Sequence, residues 1–147
     1  MKTAILYYSN HHGNTQKLVD AIAAECDVTL VDVVNGRGYG LSDFDCIGIA
    51  SGIYAGSFGK PILNFVEEYL PQGKKVFLLY TYAKKMGHYE NAIRKVLEGK
   101  KAEIIGEYDC PGYNTFGPFK LVGGTGKGHP TDEEIRKAVD FYRGLDS

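Results

Sequence analysis

Apolar and polar residues follow two different periods along the chain, and segments of the two kinds alternate. Five runs of mostly apolar residues have the length of β-strands, at residues 4–8, 27–34, 46–50, 75–81 and 102–108. After every run except the second, which is followed by a glycine-rich loop at residues 35–40, apolar residues recur every three or four positions, which predicts amphipathic helices. Strands that alternate with helices indicate an α/β domain whose parallel sheet has helices on both faces.

Four helices are predicted, and local signals mark where they begin or end. The first begins near Thr15, and the second begins near Pro61, a residue favoured in a first helical turn. The third has apolar residues at helical spacing over 89–97, followed by Gly99 as a C-cap. The last opens on residues 131–134, Thr-Asp-Glu-Glu, which match a capping box. The alternation continues to the end of the chain, so residues 1–147 are predicted to form one domain.

The polarity of each strand predicts its place in the sheet. Strands one, three and four are nearly all apolar, as expected of strands buried on both faces. Strands two and five contain charged residues, which favours the sheet edges. We therefore predict a three-layer, doubly wound, five-stranded parallel sheet with the order 2-1-3-4-5. Ligands bind such sheets beyond the C-terminal ends of strands one and three, where residues 9–15 and 51–56 are predicted loops, with 81–88 beside them.

The first of these loops, Ser9-Asn10-His11-His12-Gly13-Asn14-Thr15, has the chemistry of a phosphate site. A helix that begins after a strand leaves the N–H groups of its first turn unpaired, and these donors and the helix dipole attract an anion. The loop lacks the lysine of a Walker A motif and the glycines of a Rossmann fingerprint. A single phosphate held by backbone amides, Asn10 and Thr15 therefore fits better than a nucleotide triphosphate. The alternative is an ordinary turn between a strand and a helix.

This region resembles the phosphate-binding signature of the flavodoxin family. The aromatic residue of that signature falls on Tyr8, its small residue on Gly13 and its threonine on Thr15. Asn10 and His12 stand where the family usually has hydroxyl residues, although both side chains can still donate hydrogen bonds. The resemblance covers the whole chain and implies a flavodoxin-like fold that binds flavin mononucleotide (FMN) through residues 9–15.

The resemblance also implies two further loops around the flavin. The loop Ser51-Gly52-Ile53-Tyr54-Ala55-Gly56 would place Tyr54 against the isoalloxazine ring, and Thr81-Tyr82-Ala83 would supply Tyr82 as a second stacking aromatic. Stacking on tyrosine contributes about 1 kcal/mol beyond area burial. The alternative is that both are ordinary surface tyrosines in a chain that has 11 of them. A carbonyl beside Gly56 could rotate to accept the flavin N5–H, because glycine adopts either backbone region at little cost.

The predicted loop over residues 110–130 is long and leaves strand five at the same end of the sheet. It carries Tyr113, Phe116 and Phe119, and such loops often act as lids or recognition surfaces. The alternative is that its aromatics only pin it to the domain. Of the three cysteines, Cys26 and Cys46 are expected in the core, and Cys110 could lie near the site.

Charge and composition exclude several classes of function. The net charge of −1 favours neither nucleic acid nor an anionic membrane as a partner, and no apolar run approaches the ~20 residues that span a bilayer. An odd number of cysteines without CxxC spacing argues against disulfides or a zinc site and fits the cytoplasm. Unlike the usually acidic flavodoxins, the chain has basic residues and few acids in its predicted site loops: His11, His12, Lys84, Lys85, His88, Lys120, Lys127 and His129. This basic rim predicts an acidic partner surface or a small anionic ligand.

The resemblance implies a monomeric electron carrier that passes electrons from a reductase to an acceptor protein. No Ser-His-Asp or Cys-His pairing can be placed, so no catalytic or metal-ligating residue is predicted. The main alternative is an FMN-dependent NAD(P)H or quinone oxidoreductase on the same fold. A phosphoacceptor receiver domain shares the sheet order, but Ser51 and Asn10-His11 stand where receivers carry acidic residues.

Overall fold

The alternating strands and helices form one sheet with two helices against each face in a computed structural model, which describes residues 1–9, 13–36, 40–113 and 128–146. The strands are β1 (Thr3–Tyr8), β2 (Val28–Asp32), β3 (Cys46–Tyr54), β4 (Ser57–Phe58), β5 (Lys75–Tyr82) and β6 (Glu103–Pro111). The helices are α1 (Asn14–Glu25), α2 (Lys60–Tyr69), α3 (Asn91–Gly99) and α4 (Asp132–Asp146), with a 3-10 turn at Leu41–Asp43.

The predicted sheet order is confirmed. The main path runs β2-β1-β3-β5-β6, and all of its neighbouring pairs are parallel. The short β4 adds an antiparallel pair to β3 outside this path. The register aligns the C-terminal ends of the strands, since Tyr8 pairs with Ser51, and Thr81 pairs with both Gly52 and Cys110. This alignment forms a common C-terminal edge of the sheet.

Two apolar layers explain why the middle strands contain so few polar residues. Helices α2 and α3 cover one face, where Leu6, Ile49 and Leu78 are buried. Helices α1 and α4 cover the other face, where Ile5 and Phe77 are buried. Because both faces of β1, β3 and β5 are covered, most successive residues in these strands are apolar. No helix in the described part of the chain is long and apolar enough to cross a membrane.

The prediction that residues 51–56 form a loop is wrong. β3 continues through Ser51 and Gly52 to Tyr54, because Ser51 and Gly52 still pair with residues of β5. The chain then turns through Ala55 and Gly56 and returns as β4, with Tyr54 opposite Ser57.

Two other strand boundaries also differ from the prediction. β6 runs to Pro111 rather than residue 108, pairing with β5 up to Tyr82, so the long connection begins later than residue 110. β2 ends at Asp32 rather than residue 34. The backbone N–H of Val34 and the side chain of Asn35 instead donate to the Asp32 carboxylate and form a turn.

Candidate functional site

A cleft lies at the C-terminal edge of the sheet, where β3, β5 and β6 end beside the start of α1. Its lining joins four stretches that are far apart in the sequence: Asn14, Thr15, Gly52, Ile53, Tyr54, Thr81, Tyr82, Ala83, Gly112 and Tyr113. The strands deliver these stretches to one place because they are parallel and in register. The position is the one that a doubly wound sheet offers to a ligand.

The start of α1 is suited to an anion. Gly13 caps the helix in the left-handed region, with φ 64°, and its carbonyl accepts the N–H of Lys17 at 3.1 Å. The hydroxyl of Ser9 accepts the N–H of Gln16 at 3.2 Å. Within the described residues, the N–H groups of Asn14 and Thr15 have no acceptor, and the first turn contains no acidic residue. The described residues therefore leave the positive end of the helix dipole uncompensated at the cleft.

Two buried threonines meet inside the cleft. Thr15 of α1 and Thr81 of β5 place their hydroxyl oxygens 2.9 Å apart. Either hydroxyl can donate in this bond, but only one of the two protons is used. The other O–H can donate to a ligand, so the pair adds a donor at the place where the anion-attracting helix begins.

The side chain of Asn14 links the start of α1 to the end of β6. Its amide Nδ2 donates to the carbonyl of Tyr113 at 2.7 Å, and its Oδ1 accepts the N–H of Tyr113 at 3.1 Å. Gly112 leaves room for this pairing, since a Cβ there would lie 2.6 Å from the Asn14 side chain. The Gly112 N–H also donates to the Tyr82 carbonyl at 2.9 Å. We call this arrangement of Asn14, Gly112 and Tyr113 the Asn14 clamp.

The aromatic residues at the cleft have different surroundings. Tyr54 lies over Gly52, where an added Cβ would come within 2.7 Å of the Tyr54 hydroxyl, and its ring meets Tyr8 edge-on at 5.4 Å. Tyr82 is half-buried, with its ring centroid 6.1 Å from that of Tyr89. Burial, and then the nearby Asp109 carboxylate, raise the pKa of Tyr82, so it stays neutral. Both tyrosines border the cleft with flat apolar surface.

The structure uses Ser51 differently from the other predicted site residues. Its fully buried hydroxyl donates to the carbonyl of Gly52 at 2.6 Å and accepts the N–H of Gly59 at 3.1 Å. These bonds hold the start of α2 against β3, so the Ser51 hydroxyl supports the fold from behind the cleft.

Other predicted residues lie beside the cleft rather than in its lining. Ser9 borders a neighbouring groove, Gly13 caps α1, and Ala55 and Gly56 form the tip of the β3–β4 hairpin. Asn10, His11 and His12 lie outside the described residues, as do Phe116, Phe119, Lys120 and Lys127 of the long loop.

Cys110 lies next to the site in the sheet but not in the cleft. It pairs with Thr81 in register, yet its side chain is buried against Leu18 and Ala138. Burial raises the pKa of its thiol to about 12. The expectation that Cys46 is a core residue is confirmed, and Cys26 is half-buried. The described residues contain no cluster of His, Cys, Asp or Glu that could hold a metal ion.

Sequence reasoning missed Gly112 and did not assign Tyr113 to the site. The sequence pattern predicts that the fifth strand ends at residue 108, whereas this strand, β6, continues to Pro111 and so brings Gly112 and Tyr113 to the cleft. The available signal was the Pro111-Gly112 pair, since Pro ends an edge strand and Gly follows where close approach is needed.

Comparisons with known proteins agree with this geometry. A family model described as a flavodoxin domain matches residues 5–115. An uncharacterized protein of Methanocaldococcus jannaschii is 38% identical over 149 residues, covering 99% of this chain and 98% of that protein. A flavodoxin from the domain Archaea has a TM-score of 0.69 at 18% identity over 100% of both chains. A Fusobacterium nucleatum flavodoxin variant, solved bound to flavin mononucleotide, has a TM-score of 0.65 at 17% identity over 97% of this chain and 94% of that one.

Proposed function

The chain belongs to the flavodoxin family, and from that premise we propose that it binds FMN without a covalent bond and carries electrons between redox proteins. FMN when bound supplies one-electron and two-electron redox chemistry. The protein's part is to hold the cofactor, exclude water from it and expose one edge of it to partners. The Fusobacterium nucleatum relative bound to flavin mononucleotide supports this cofactor.

The observation that carries the proposal is the anion-attracting start of α1 at a cleft bordered by tyrosines. The N–H groups of Asn14 and Thr15 would hold the phosphate, together with the Thr15–Thr81 hydroxyl pair. Tyr54 and Tyr82 would lie against the isoalloxazine ring, since both line the cleft. The described lining therefore combines backbone donors suited to a phosphate with aromatic side chains suited to a flat ring, which supports FMN as the ligand.

The described lining of the cleft contains no side chain suited to general acid–base catalysis. The described residues of the lining include no Asp, Glu, His, Lys, Arg or Cys. Their only titratable groups are tyrosine hydroxyls, and the pKa of Tyr82 is raised. General acid–base catalysis needs a group whose pKa lies near the working pH, and this part of the cleft offers none. Electron transfer through a flavin edge needs no such group, and neither does hydride transfer to a flavin, so the second experiment below separates the carrier from the oxidoreductase.

The first experiment measures uptake of FMN and of riboflavin, which lacks the phosphate. We expect the purified protein to take up FMN with flavin absorbance and to bind FMN more tightly than riboflavin. Thr15→Val removes one hydroxyl at the phosphate end and should weaken FMN binding by about tenfold, the effect of one hydrogen bond to a charged group. Thr29→Val, on an exposed position of β2, serves as the matched control. A protein that takes up no added FMN would contradict the proposal.

The second experiment separates the carrier from an oxidoreductase. The FMN-loaded protein is mixed with NADH or NADPH in the presence and absence of a quinone, and nicotinamide oxidation is followed at steady state. An electron carrier leaves both nucleotides unoxidised without an added reductase. Sustained oxidation by the protein alone would instead identify an FMN-dependent oxidoreductase.

A further inference from the structure

We propose that residues 84–88 form a docking surface for an acidic one-electron redox protein, an inference that rests on the proposed electron-carrier function. These residues, Lys84, Lys85, Met86, Gly87 and His88, are termed the 84–88 surface. They follow Tyr82 and Ala83, which line the cleft. A partner seated on them would therefore lie beside the proposed flavin site.

All five residues of the 84–88 surface are exposed. Met86 is 71% exposed, more than any other large apolar side chain in the described residues. A flexible and polarizable methionine adapts to different apolar surfaces, and methionine is enriched in protein interfaces. Met86 thus provides an apolar anchor at the centre of the surface.

The backbone beneath these side chains is held in place. The hydroxyl of buried Tyr89 donates to the carbonyl of Lys84. Gly87 and His88 both have positive φ, at 82° and 64°, and the N–H of Asn91 donates to the carbonyl of His88 at 3.3 Å. The surface is therefore a shaped turn anchored to the aromatic core, and binding it costs less ordering than binding an unstructured loop.

In this region the basic side chains are more exposed to solvent than the carboxylates with which they pair. The Lys85 side chain is 70% exposed, whereas Asp109, whose oxygen is 3.6 Å from the Lys85 Nζ, is 26% exposed. Glu90 and Glu107 both pair with Arg94 and are less exposed than it is. Lys84 has no ion-pair partner within the described residues. A partner that approaches this region therefore meets lysine ammonium groups before it meets carboxylates.

The exposed acidic residues at the start of α4 do not share this surface. Asp132 and Glu133 form the exposed first turn of α4, which packs on the opposite face of the sheet from α3. At the C-terminal edge, Lys84 and Lys85 on the α3 side and Asp132 and Glu133 at the start of α4 therefore have opposite charge, although the exposed Lys17 near the start of α1 adds one positive charge to the layer of α4. A partner with an acidic surface is steered to the α3 side, because attraction there and repulsion at α4 act together.

The size of the surface fits a transient redox partner. Electron-transfer complexes bury little area, commonly less than about 1,200 Å² in total, and depend on charge for their association rate. Five exposed residues beside the cleft can form the centre of such an interface. Lys85 also has its Nζ 5.9 Å from the centroid of the Tyr82 ring, so the charged surface and the cleft wall are continuous.

The test uses reduced plant-type [2Fe–2S] ferredoxin, an acidic one-electron donor, as the probe. Two ferredoxins lose one electron each, and both electrons pass to one FMN with protons from water. Reduction of the FMN-loaded protein is followed by stopped-flow absorbance from about 20 mM to about 500 mM salt. We expect the second-order rate constant to fall as salt rises.

Single substitutions test which residues cause the salt dependence of the reduction rate. Lys84→Glu should lower the rate constant at low salt by about tenfold, the lower end of what electrostatic steering provides, and should flatten its salt dependence. Lys75→Glu makes the same change in net charge at the other end of β5 and should have little effect. Met86→Ala should slow the reaction at every salt concentration without changing the salt slope.

A rate constant that rises with salt would overturn the proposal, as would equal effects of Lys84→Glu and Lys75→Glu. Dithionite reduces bound flavin without docking, so an end-point dithionite titration should give the same amount of reducible FMN in all variants, which separates loss of the cofactor from loss of the interface. If the protein takes up no FMN, the proposed function fails, and the surface is tested by titrating oxidised ferredoxin in an amide NMR experiment. Shifts at residues 84–88 would support the docking surface, and their absence would refute it.

Discussion

At the residue scale, two positions at the tip of the β3–β4 hairpin govern the backbone next to the cleft. Ala55 and Gly56 have φ of 51° and 79°, the positive values of a two-residue type I′ turn. Gly56 adopts this region freely, whereas Ala55 is an L-residue in the left-handed region and carries a steric cost. The turn is therefore mildly strained at Ala55, and its Gly56 position requires glycine.

Gly56→Ala should lower the free energy of unfolding by about 1 kcal/mol, because a second L-residue enters the left-handed region. Gly73→Ala is the matched control, since Gly73 has φ 77° and open space around it, far from the cleft. Chemical denaturation should give similar losses for the two variants. Only Gly56→Ala should also shift the reduction potentials of bound FMN, because its carbonyl neighbour is the one proposed to meet the flavin N5. Unchanged potentials in Gly56→Ala would contradict that role.

The cysteines should differ in reactivity. Burial raises the pKa of Cys46 to about 11 and that of Cys110 to about 12, and only the thiolate reacts with alkylating reagents. In the native protein at pH 8, iodoacetamide should therefore label half-buried Cys26 first, with Cys46 and Cys110 labelled only on unfolding. Peptide mass spectrometry over time measures this order. Early labelling of Cys110 would show that the end of β6 opens.

At the element scale, the cleft depends on contacts between the ends of elements. The Asn14 clamp joins α1 to the end of β6, and the Tyr113 N–H also donates to the carbonyl of His129 at 3.1 Å, just before α4. The backbone of Tyr113 thus links the end of β6 to the start of α1 and to the residues before α4. The sequence-based interpretation placed Asn14 among the phosphate ligands, whereas in the structure its side chain is committed to the backbone of Tyr113.

The clamp predicts a specific pattern of stability. Asn14→Ala loses two hydrogen bonds and should lower the free energy of unfolding by about 1–3 kcal/mol. Gly112→Ala should cost a similar amount, because its Cβ would overlap the Asn14 side chain. The double variant should lose less than the sum of the two single losses, since Asn14→Ala removes the two atoms nearest to the new methyl group and leaves only the residue-14 Cβ at 3.0 Å. Gly99→Ala, which has open space at its Cβ, is the control, and additive losses would argue against the clamp.

The capping box predicted for α4 is confirmed. Glu134 N–H donates to the Thr131 hydroxyl at 3.1 Å, and the Glu134 carboxylate accepts the Thr131 N–H at 2.7 Å. His129 Nδ1 lies 2.6 Å from the same carboxylate. Burial opposes ionisation of Glu134, but the hydrogen bonds from Thr131 and His129 outweigh it, so its pKa lies below the ordinary value of 4.5.

Because the pKa of Glu134 is lowered on folding, its carboxylate stabilises the protein fully above pH 4.5, and this contribution is lost as pH falls through the lowered pKa. Glu134→Ala should therefore lower the free energy of unfolding at pH 7 by about 1 kcal/mol. The difference from the unsubstituted protein should shrink in acid. Denaturation curves at pH 7 and pH 3 measure it, with exposed Glu133→Ala as the control. An equal difference in unfolding free energy at both pH values would refute a contribution from the charge of the Glu134 carboxylate.

At the scale of the whole molecule, charge is nearly balanced but unevenly placed. The net charge is −1, and the C-terminal edge of the sheet carries exposed lysines on the α3 side and exposed acids on the α4 side. Of the basic residues predicted for the site loops, Lys84, Lys85 and His88 are exposed, whereas His129 is paired with Glu134 and the exposed first turn of α4 is acidic. His11, His12, Lys120 and Lys127 lie outside the described residues, so the basic rim stays a prediction there.

The exposed Lys84 and Lys85 beside the cleft predict a shift in the reduction potential of bound FMN. Positive charge near an anionic reduced flavin stabilises it, so the lower reduction potential should be less negative than in a strongly acidic flavodoxin. Lys85→Glu should make this potential more negative, on the order of tens of millivolts, by Coulomb interaction at the cleft wall. A spectroelectrochemical titration compares this variant with Lys75→Glu, whose charge change lies at the opposite end of β5. Equal potentials in the two variants would refute the local effect.

The sequence by itself determined the properties that depend on neighbouring residues. Apolar runs without charges identified β1, β3 and β5 as the middle strands, because both faces of such strands are buried. The spacing of Thr131 and Glu134 marked the start of α4, and Gly13 after an apolar strand marked the start of α1. These signals are local, so they were readable without the fold.

Only the tertiary structure decided the features that depend on residues far apart in the chain. β3 continued to Tyr54 because β5 pairs with it as far as Gly52, and no pattern within 51–54 indicates a partner. Thr15 and Thr81 meet across 66 residues, and Asn14 binds Tyr113 across 99. Packing likewise decides that the Lys85 side chain is more exposed than the Asp109 carboxylate beside it. Such contacts arise from sheet register and helix placement, which no short stretch of sequence contains.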